Sequence, residues 1–231
     1  VKTLQQFGCA SLPELAKDLK LWGLRIDYGF SPEEIGEMAR TMPIVLNAST
    51  MSPEDARRIA AMGQEVFALH NFYPRPETGL DEDYFREITE SLRQAGLKVL
   101  AFIPGDARKR GPVFEGLPTL EAHRHILPSA AFADLALNYG LEAIFVGDPG
   151  ISRTEIDRID RFCREGILSI PCEIQDPWQY LYDQVFTCRM DSPKRLVRFQ
   201  ESRIYSCQGP TTEPANCVPR TRGSLTIDNL R

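Results

Sequence analysis

Polar residues able to do chemistry stand at one recurring place in this chain, the C-terminal end of a short apolar run. Asp27 ends the run 24–27, Asn47 ends 44–47, His70 and Asn71 end 66–70, Asp148 follows 144–147, and Glu173 ends 167–173. Two carboxylates on different strands, Asp27 and Glu173, suit the paired roles of glycoside hydrolysis, where their separation sets the stereochemical course. Glu173 is then the acid/base. A strand's alternation puts Arg25 on the same face as Asp27, so a structural Arg–Asp pair accounts for Asp27 as well, and a salt bridge for Glu173.

The most distinctive segment is His70-Asn71-Phe72-Tyr73-Pro74-Arg75-Pro76-Glu77-Thr78-Gly79-Leu80. Two prolines restrain its backbone, and aromatic, amide, cationic and carboxylate groups project from it. A sugar ring asks for that mixture, because its C–H face is apolar and its rim carries hydroxyls. A second dense stretch, Glu115 through Arg124, follows the basic residues Arg108, Lys109 and Arg110. Thr119 is expected to cap a helix running into Ala131, with the basic residues meeting an anion at that helix N-terminus. A solvated basic loop before an ordinary helix is the alternative. Asp148 lies where many barrels bind phosphate, with Ser152 or Thr154 as donors, and equally reads as a residue leading into a helix.

The candidate binding residues are therefore Arg25, Asn47, His70, Asn71, Tyr73, Arg75, Glu77, Glu115, Glu121, His123, Arg124 and Asp148. A Schiff-base mechanism needs a lysine inside the site, and Lys98 stands at the wrong end of its run. Three histidines, with only His70 at the end of a run, speak against a metal hydrolase. No cofactor and no metal are expected.

What must position these residues is a repeat of strand and helix. Six short apolar runs (24–27, 44–47, 66–70, 99–103, 144–147 and 167–173) recur roughly every 30 residues. Each is bounded by Gly, Pro or Asn, as buried parallel strands are. Ser31-Pro32-Glu33-Glu34 and Ser52-Pro53-Glu54-Asp55 offer capping serines, first-turn prolines and acids. Ser152-Arg153-Thr154-Glu155 matches a capping box, and Gly63, Gly96, Gly140 and Gly166 mark helix ends. Alternating βα units mean a parallel sheet with helices outside it. An open nucleotide-binding sheet would show G-x-G-x-x-G after its first strand, and none is present. Polar residues at strand ends point instead to a (β/α)8 TIM barrel. Six strands against eight imply that two units precede Val1.

The chain has 231 residues, 42% of them hydrophobic, and a formal charge of −5, which disfavours a nucleic-acid partner. No apolar run reaches the ~20 residues of a membrane helix. Residues 181–231 carry a net +3 and the preceding 180 a net −8, and prolines crowd the tail, so a boundary is expected between domains 1–180 and 181–231. Six cysteines without a C-x-x-C pair suggest free thiols in a reducing compartment.

The strings Arg25-Ile26-Asp27-Tyr28-Gly29-Phe30, Leu46-Asn47-Ala48-Ser49, His70 through Leu80, Glu115 through Arg124 and Val146-Gly147-Asp148, in that order, resemble the 6-phospho-N-acetylmuramidase family. Asn216 through Asn229 resemble its C-terminal domain. The resemblance implies a TIM-barrel glycosidase followed by a cyclophilin-like β domain, here in part, with family members extending past both ends. It implies cleavage of the β-1,4 bond in 6-phospho-N-acetylmuramyl-N-acetylglucosamine, in bacterial cytoplasmic salvage of cell-wall sugars. On that basis Asn47, His70, Asn71, Tyr73 and Arg75 would hold the sugar, with Asp27 and Glu173 as the working carboxylates or, if the 2-acetamido group is the internal nucleophile, Asp27 as its orienter. The region from Arg110 to Arg124, or Arg75, would hold the phosphate. The partner is then a small phosphorylated disaccharide, with no membrane. Two other readings stay open: a phospho-sugar-binding protein without catalysis, and a barrel isomerase or lyase on a phosphorylated sugar.

Overall fold

Five of the apolar runs become strands, and the second and third of them are buried on both faces. β1 (Leu24–Ile26), β2 (Ile44–Asn47), β3 (Val66–Leu69), β4 (Lys98–Ile103) and β5 (Ala143–Val146) pair in parallel, in the order β1-β2-β3-β4-β5. The computed structural model describes Leu4 and residues 8–62, 65–174, 176, 178–203, 213–215, 217–221 and 223–227. Gly63, Cys207 and parts of the tail segment, Asn216 and Asn229 among them, lie outside these residues. The connecting helices are α1 (Leu12–Asp18), α2 (Pro32–Ala39), α3 (Pro53–Met62), α4 (Glu82–Gln94), α5 (Pro128–Asn138) and α6 (Arg153–Glu165).

A doubly wound sheet reverses its strand order at a switch point; this sheet never does. Each strand is followed by a helix and then by its immediate neighbour, which is how a barrel wall is built. The fold is mixed α/β with a five-stranded parallel sheet of TIM-barrel type.

The register explains the apolar runs. Ile44, Leu46, Val66, Ala68 and Val99 pack outward on Ile35, Met38, Ile59 and Leu92 of the helices. Val45, Phe67, Leu69 and Leu100 form a second cluster on the opposite face, with Phe102 and Ala143 against it. Full burial of one such side chain contributes about 1.5–3 kcal/mol, so runs apolar on both faces are held firmly. Helix starts follow local chemistry. Ser31 and Glu34 form a capping box over α2, Ser52 Oγ accepts from the Asp55 N–H at 3.1 Å, and Ser152 Oγ accepts from the Glu155 N–H at 3.3 Å. Helix α6 stops at Gly166, whose φ of 68° is left-handed.

Two expectations need correction. Residues 167–174 form no strand. Pro171 has no N–H to give a ladder, and most of the segment is exposed, so Glu173 does not end a barrel strand. Thr119, in turn, caps no helix. It is buried, its hydroxyl donates to the Asn71 carbonyl (3.0 Å) and accepts from the Phe102 N–H (2.9 Å), and a 3-10 turn at Glu121–His123 precedes α5. Stitching the end of β3 to β4 satisfies groups that a helix cap would leave open. Nor is the start of α5 vacant for an external anion, since the Glu155 carboxylate accepts from the Ser129 N–H at 2.7 Å.

The chain divides into two units, Val1–Ser169 and Ile170–Arg231. The first holds the sheet. In the second, a 3-10 turn spans Trp178–Leu181, and the Tyr182 hydroxyl donates to the Cys172 carbonyl while accepting from the Ile174 N–H. Cys188 and Phe199 form an antiparallel bridge, flanked by Arg189 N–H to Arg198 O and Gln200 N–H to Thr187 O, both 2.8 Å. Among the described residues, no helix is long and apolar enough to cross a membrane.

Candidate active site

At the C-terminal ends of β1, β2 and β3 one polar chain links three strands. Arg25 Nη2 lies 3.1 Å from Asp27 Oδ1 and donates to Asn71 Oδ1 at 2.5 Å. The Asn71 amide donates to Asn47 Oδ1 (3.3 Å) and to Ser49 Oγ (3.4 Å), and the Ser49 N–H donates to Asn47 Oδ1 (3.0 Å). Strand alternation turns Arg25 and Asn47 to the face away from the helices, and parallel pairing sets Arg25 beside Val45 and Asn47 beside Leu69. Asp27 is half exposed, and only its Oδ1 is engaged among the described residues. The assembly presents a carboxylate, a guanidinium, two amides and a hydroxyl side by side.

His70, one residue before Asn71, turns the other way. It is 1% exposed, packs on the Phe85 ring 4.5 Å away, and shares a 3.0 Å hydrogen bond with Thr89 of α4. Burial pushes its pKa down to about 4. It therefore sits between sheet and helix as a neutral ring, on the opposite face from Arg25 and Asn71.

The two long loops after β3 and β4 are locked together by charge. Glu121 accepts from the Glu77 N–H (2.8 Å), the Gly79 N–H (2.7 Å), Arg124 Nε (2.6 Å) and Arg124 Nη2 (2.5 Å). Arg124 Nη1 donates to the carbonyls of Tyr73 (3.0 Å) and Gly116 (3.2 Å). The Arg124 hydrogen bonds, helped by the two backbone N–H groups, hold Glu121 down at about 2 from its usual 4.5. Gly79 is obligatory here, because a Cβ on it would lie 2.6 Å from the Glu121 nitrogen. Asp148 does the same work for the β4 loop: Oδ2 accepts from the Gly105 and Leu117 N–H groups, each at 2.9 Å, and Oδ1 from the Arg110 N–H at 3.0 Å. His123 is buried against Asp134, Nε2 to Oδ2 2.9 Å.

Residues 1–161 match the family described as 6-phospho-N-acetylmuramidase, N-terminal, and residues 172–231 match 6-phospho-N-acetylmuramidase, C-terminal. The chain belongs to the 6-phospho-N-acetylmuramidase family. No curated protein matches it. Among solved structures it is similar to a conserved Enterococcus faecalis protein of unknown function, with 36% identity, a TM-score of 0.63, and coverage of 72% of this chain and 48% of that one. It is also similar to an uncharacterized B. cereus protein, with 26% identity, a TM-score of 0.57, and coverage of 65% and 46%. The chain thus spans about half the length of the solved structures it matches.

In this member of the 6-phospho-N-acetylmuramidase family, then, the candidate residues separate into three groups. Arg25, Asp27, Asn47 and Asn71 converge on one mouth. Glu121, Arg124 and Asp148 are occupied in tying the loops together, and His70 and His123 pair with helix residues. Tyr73, Arg75, Glu77 and Glu115 sit on the loops: Tyr73 and Glu115 half-buried, Arg75 and Glu77 exposed. Glu173 is exposed on irregular chain in the second unit. Lys98, at the opposite end of the sheet, pairs with Glu65 (3.3 Å) and Glu142 (3.5 Å), and chiefly the Glu65 hydrogen bond raises its pKa, the reverse of what an amine nucleophile needs. Among the described residues, no three His, Cys, Asp or Glu side chains converge as metal ligands. Ser49 and Thr119 were not singled out as site residues by the sequence. Ser49 follows Asn47 by two residues, the spacing of an Asx turn, and that was the available signal. Thr119 had none, because its partners come from other strands.

Proposed function

We propose that this protein is a glycoside hydrolase that cleaves the β-1,4 bond of 6-phospho-N-acetylmuramyl-N-acetylglucosamine, within the cytoplasm, in cell-wall sugar salvage. The observation that carries the proposal is the Asp27–Arg25–Asn71–Asn47 chain at the strand ends of a family member named for that activity. A glycosidase transition state is oxocarbenium-like and needs a carboxylate beside the anomeric carbon. Asp27 supplies it, with Arg25 fixing its orientation. The amides of Asn47 and Asn71 hold ring hydroxyls and the acetamido group. We assign the carboxylate beside the anomeric carbon to Asp27, because Glu173 stands on no strand.

The test is incubation of the full chain with the disaccharide bearing or lacking the 6-phosphate, with products followed by mass spectrometry. Cleavage of the phosphorylated form, with uptake of solvent oxygen at the new reducing end, is the expected result. Binding without cleavage over days would leave a sugar-binding protein. Release of a reducing end without solvent oxygen would leave an isomerase or lyase.

A further inference from the structure

We propose that Arg110, stacked on Phe72, is the residue that selects a phosphorylated over an unphosphorylated sugar; this rests on the reading that the mouth takes a phosphorylated disaccharide. The cations around the mouth differ in what they have left to give. Arg124 is 2% exposed and already donates four hydrogen bonds to Glu121, Tyr73 and Gly116. Arg25 has donors to spare, but its charge is already paired with the Asp27 carboxylate at 3.1 Å. Arg75 is exposed between two prolines, with no aromatic ring beneath it among the described residues. Arg110 is also exposed, yet its guanidinium carbon lies 5.1 Å from the Phe72 ring centroid, and no described carboxylate pairs with it. Phe72 follows Asn71 directly, so this shelf begins one residue from the polar chain.

Two devices hold Arg110 in place. Its main chain is pinned by Asp148 at 3.0 Å, and two residues earlier Arg108 exchanges hydrogen bonds of 3.3 and 3.1 Å with Gly150. Its side chain rests on Phe72, which is edge-on to Phe102 at 5.2 Å. Stacking leaves the in-plane N–H groups of a guanidinium free for acceptors. A planar fork of that kind grips two phosphate oxygens at once, and one already ordered loses less freedom on binding. The same fork offers little to a neutral 6-hydroxyl, which is the basis for discrimination. Asp148 is thereby a positioning residue for the selecting group.

The experiment compares wild type, R110Q, R110K and F72L in the full chain, using the disaccharide with and without the 6-phosphate. Steady-state kinetics and calorimetric Kd are both read. R110Q is expected to weaken binding of the phosphorylated sugar by about 10- to 100-fold, with the loss in KM rather than kcat, and so to collapse the preference between the two sugars. R110K, which keeps charge but not the fork, should recover only part of it. F72L should cost about 2- to 5-fold. Equal weakening of both sugars by R110Q, or no weakening, overturns the assignment, as does a wild type that binds both sugars equally. A wild type that binds the phosphorylated sugar through Arg110 but cleaves nothing keeps the assignment and sinks the glycosidase reading instead.

Discussion

Two arginine–carboxylate pairs stand near the same mouth and are put to opposite uses. In Arg124–Glu121 the side chains are 1% and 32% exposed, and every nitrogen of the guanidinium donates. In Arg25–Asp27 they are 34% and 49% exposed, and Arg25 bonds through Nη2 alone. The first pair has little capacity left and joins two loops into one frame. The second keeps donors and an acceptor open to solvent, hence to a ligand. What distinguishes the two is unused hydrogen-bonding capacity, which residue type does not reveal.

Substitutions at each pair should therefore separate activity from stability. The largest effect is expected from D27N, which keeps shape and removes charge: turnover falls about 10²- to 10⁴-fold, while the thermal midpoint stays near wild type. Loss within tenfold would break the functional half of the comparison. For the frame, E121Q leaves the buried Arg124 short of its counter-charge and should cost about 1–3 kcal/mol of unfolding free energy in denaturant titration. An E121Q protein as stable as wild type but slow would invert the comparison. The pair also carries a pH signature. The folded pKa of Glu121 is depressed to about 2, so its contribution is present above the unfolded value near 4.5 and is lost as pH falls toward 2.

A smaller contrast runs between consecutive residues, His70 and Asn71. The folded pKa of His70 is about 4, below its usual 6.5. The unfolded chain takes up a proton first, so stability is full above pH 6.5 and declines toward pH 4, by up to roughly 3 kcal/mol. H70Q should flatten that part of the stability profile while sparing the profile above pH 7. An unchanged slope between pH 6.5 and 4 would mean that His70 is not the buried neutral group the packing describes.

Much of this was legible in the chain itself. Apolar runs at a regular interval, Ser-Pro-Glu starts and glycine stops are local signals, and five of six runs became neighbouring strands. The sixth did not, because Pro171 has no N–H to give a ladder and most of residues 167–174 is exposed. The mouth was legible in kind, since Asp27, Asn47 and Asn71 fall at or just past run ends and Arg25 shares a strand face with Asp27. His70 was not, because strand alternation sends adjacent residues to opposite faces and the last residue of a strand does not announce its side. Glu121, Arg124 and Asp148 looked like binding residues for the reason that makes them good braces: charged groups satisfy backbone N–H and carbonyl groups as readily as they do a ligand.

By itself, then, the sequence determined the βα repeat, the parallel sheet and the chemical types at its C-terminal edge, because propensity, periodicity and capping act over a few residues. Only the tertiary structure decided which of those polar groups have bonds to spare. That depends on what the register and the loops bring within about 3 Å, and hydrogen-bond partners such as Asn71 for Thr119, or Gly105 for Asp148, lie more than forty residues away in the chain.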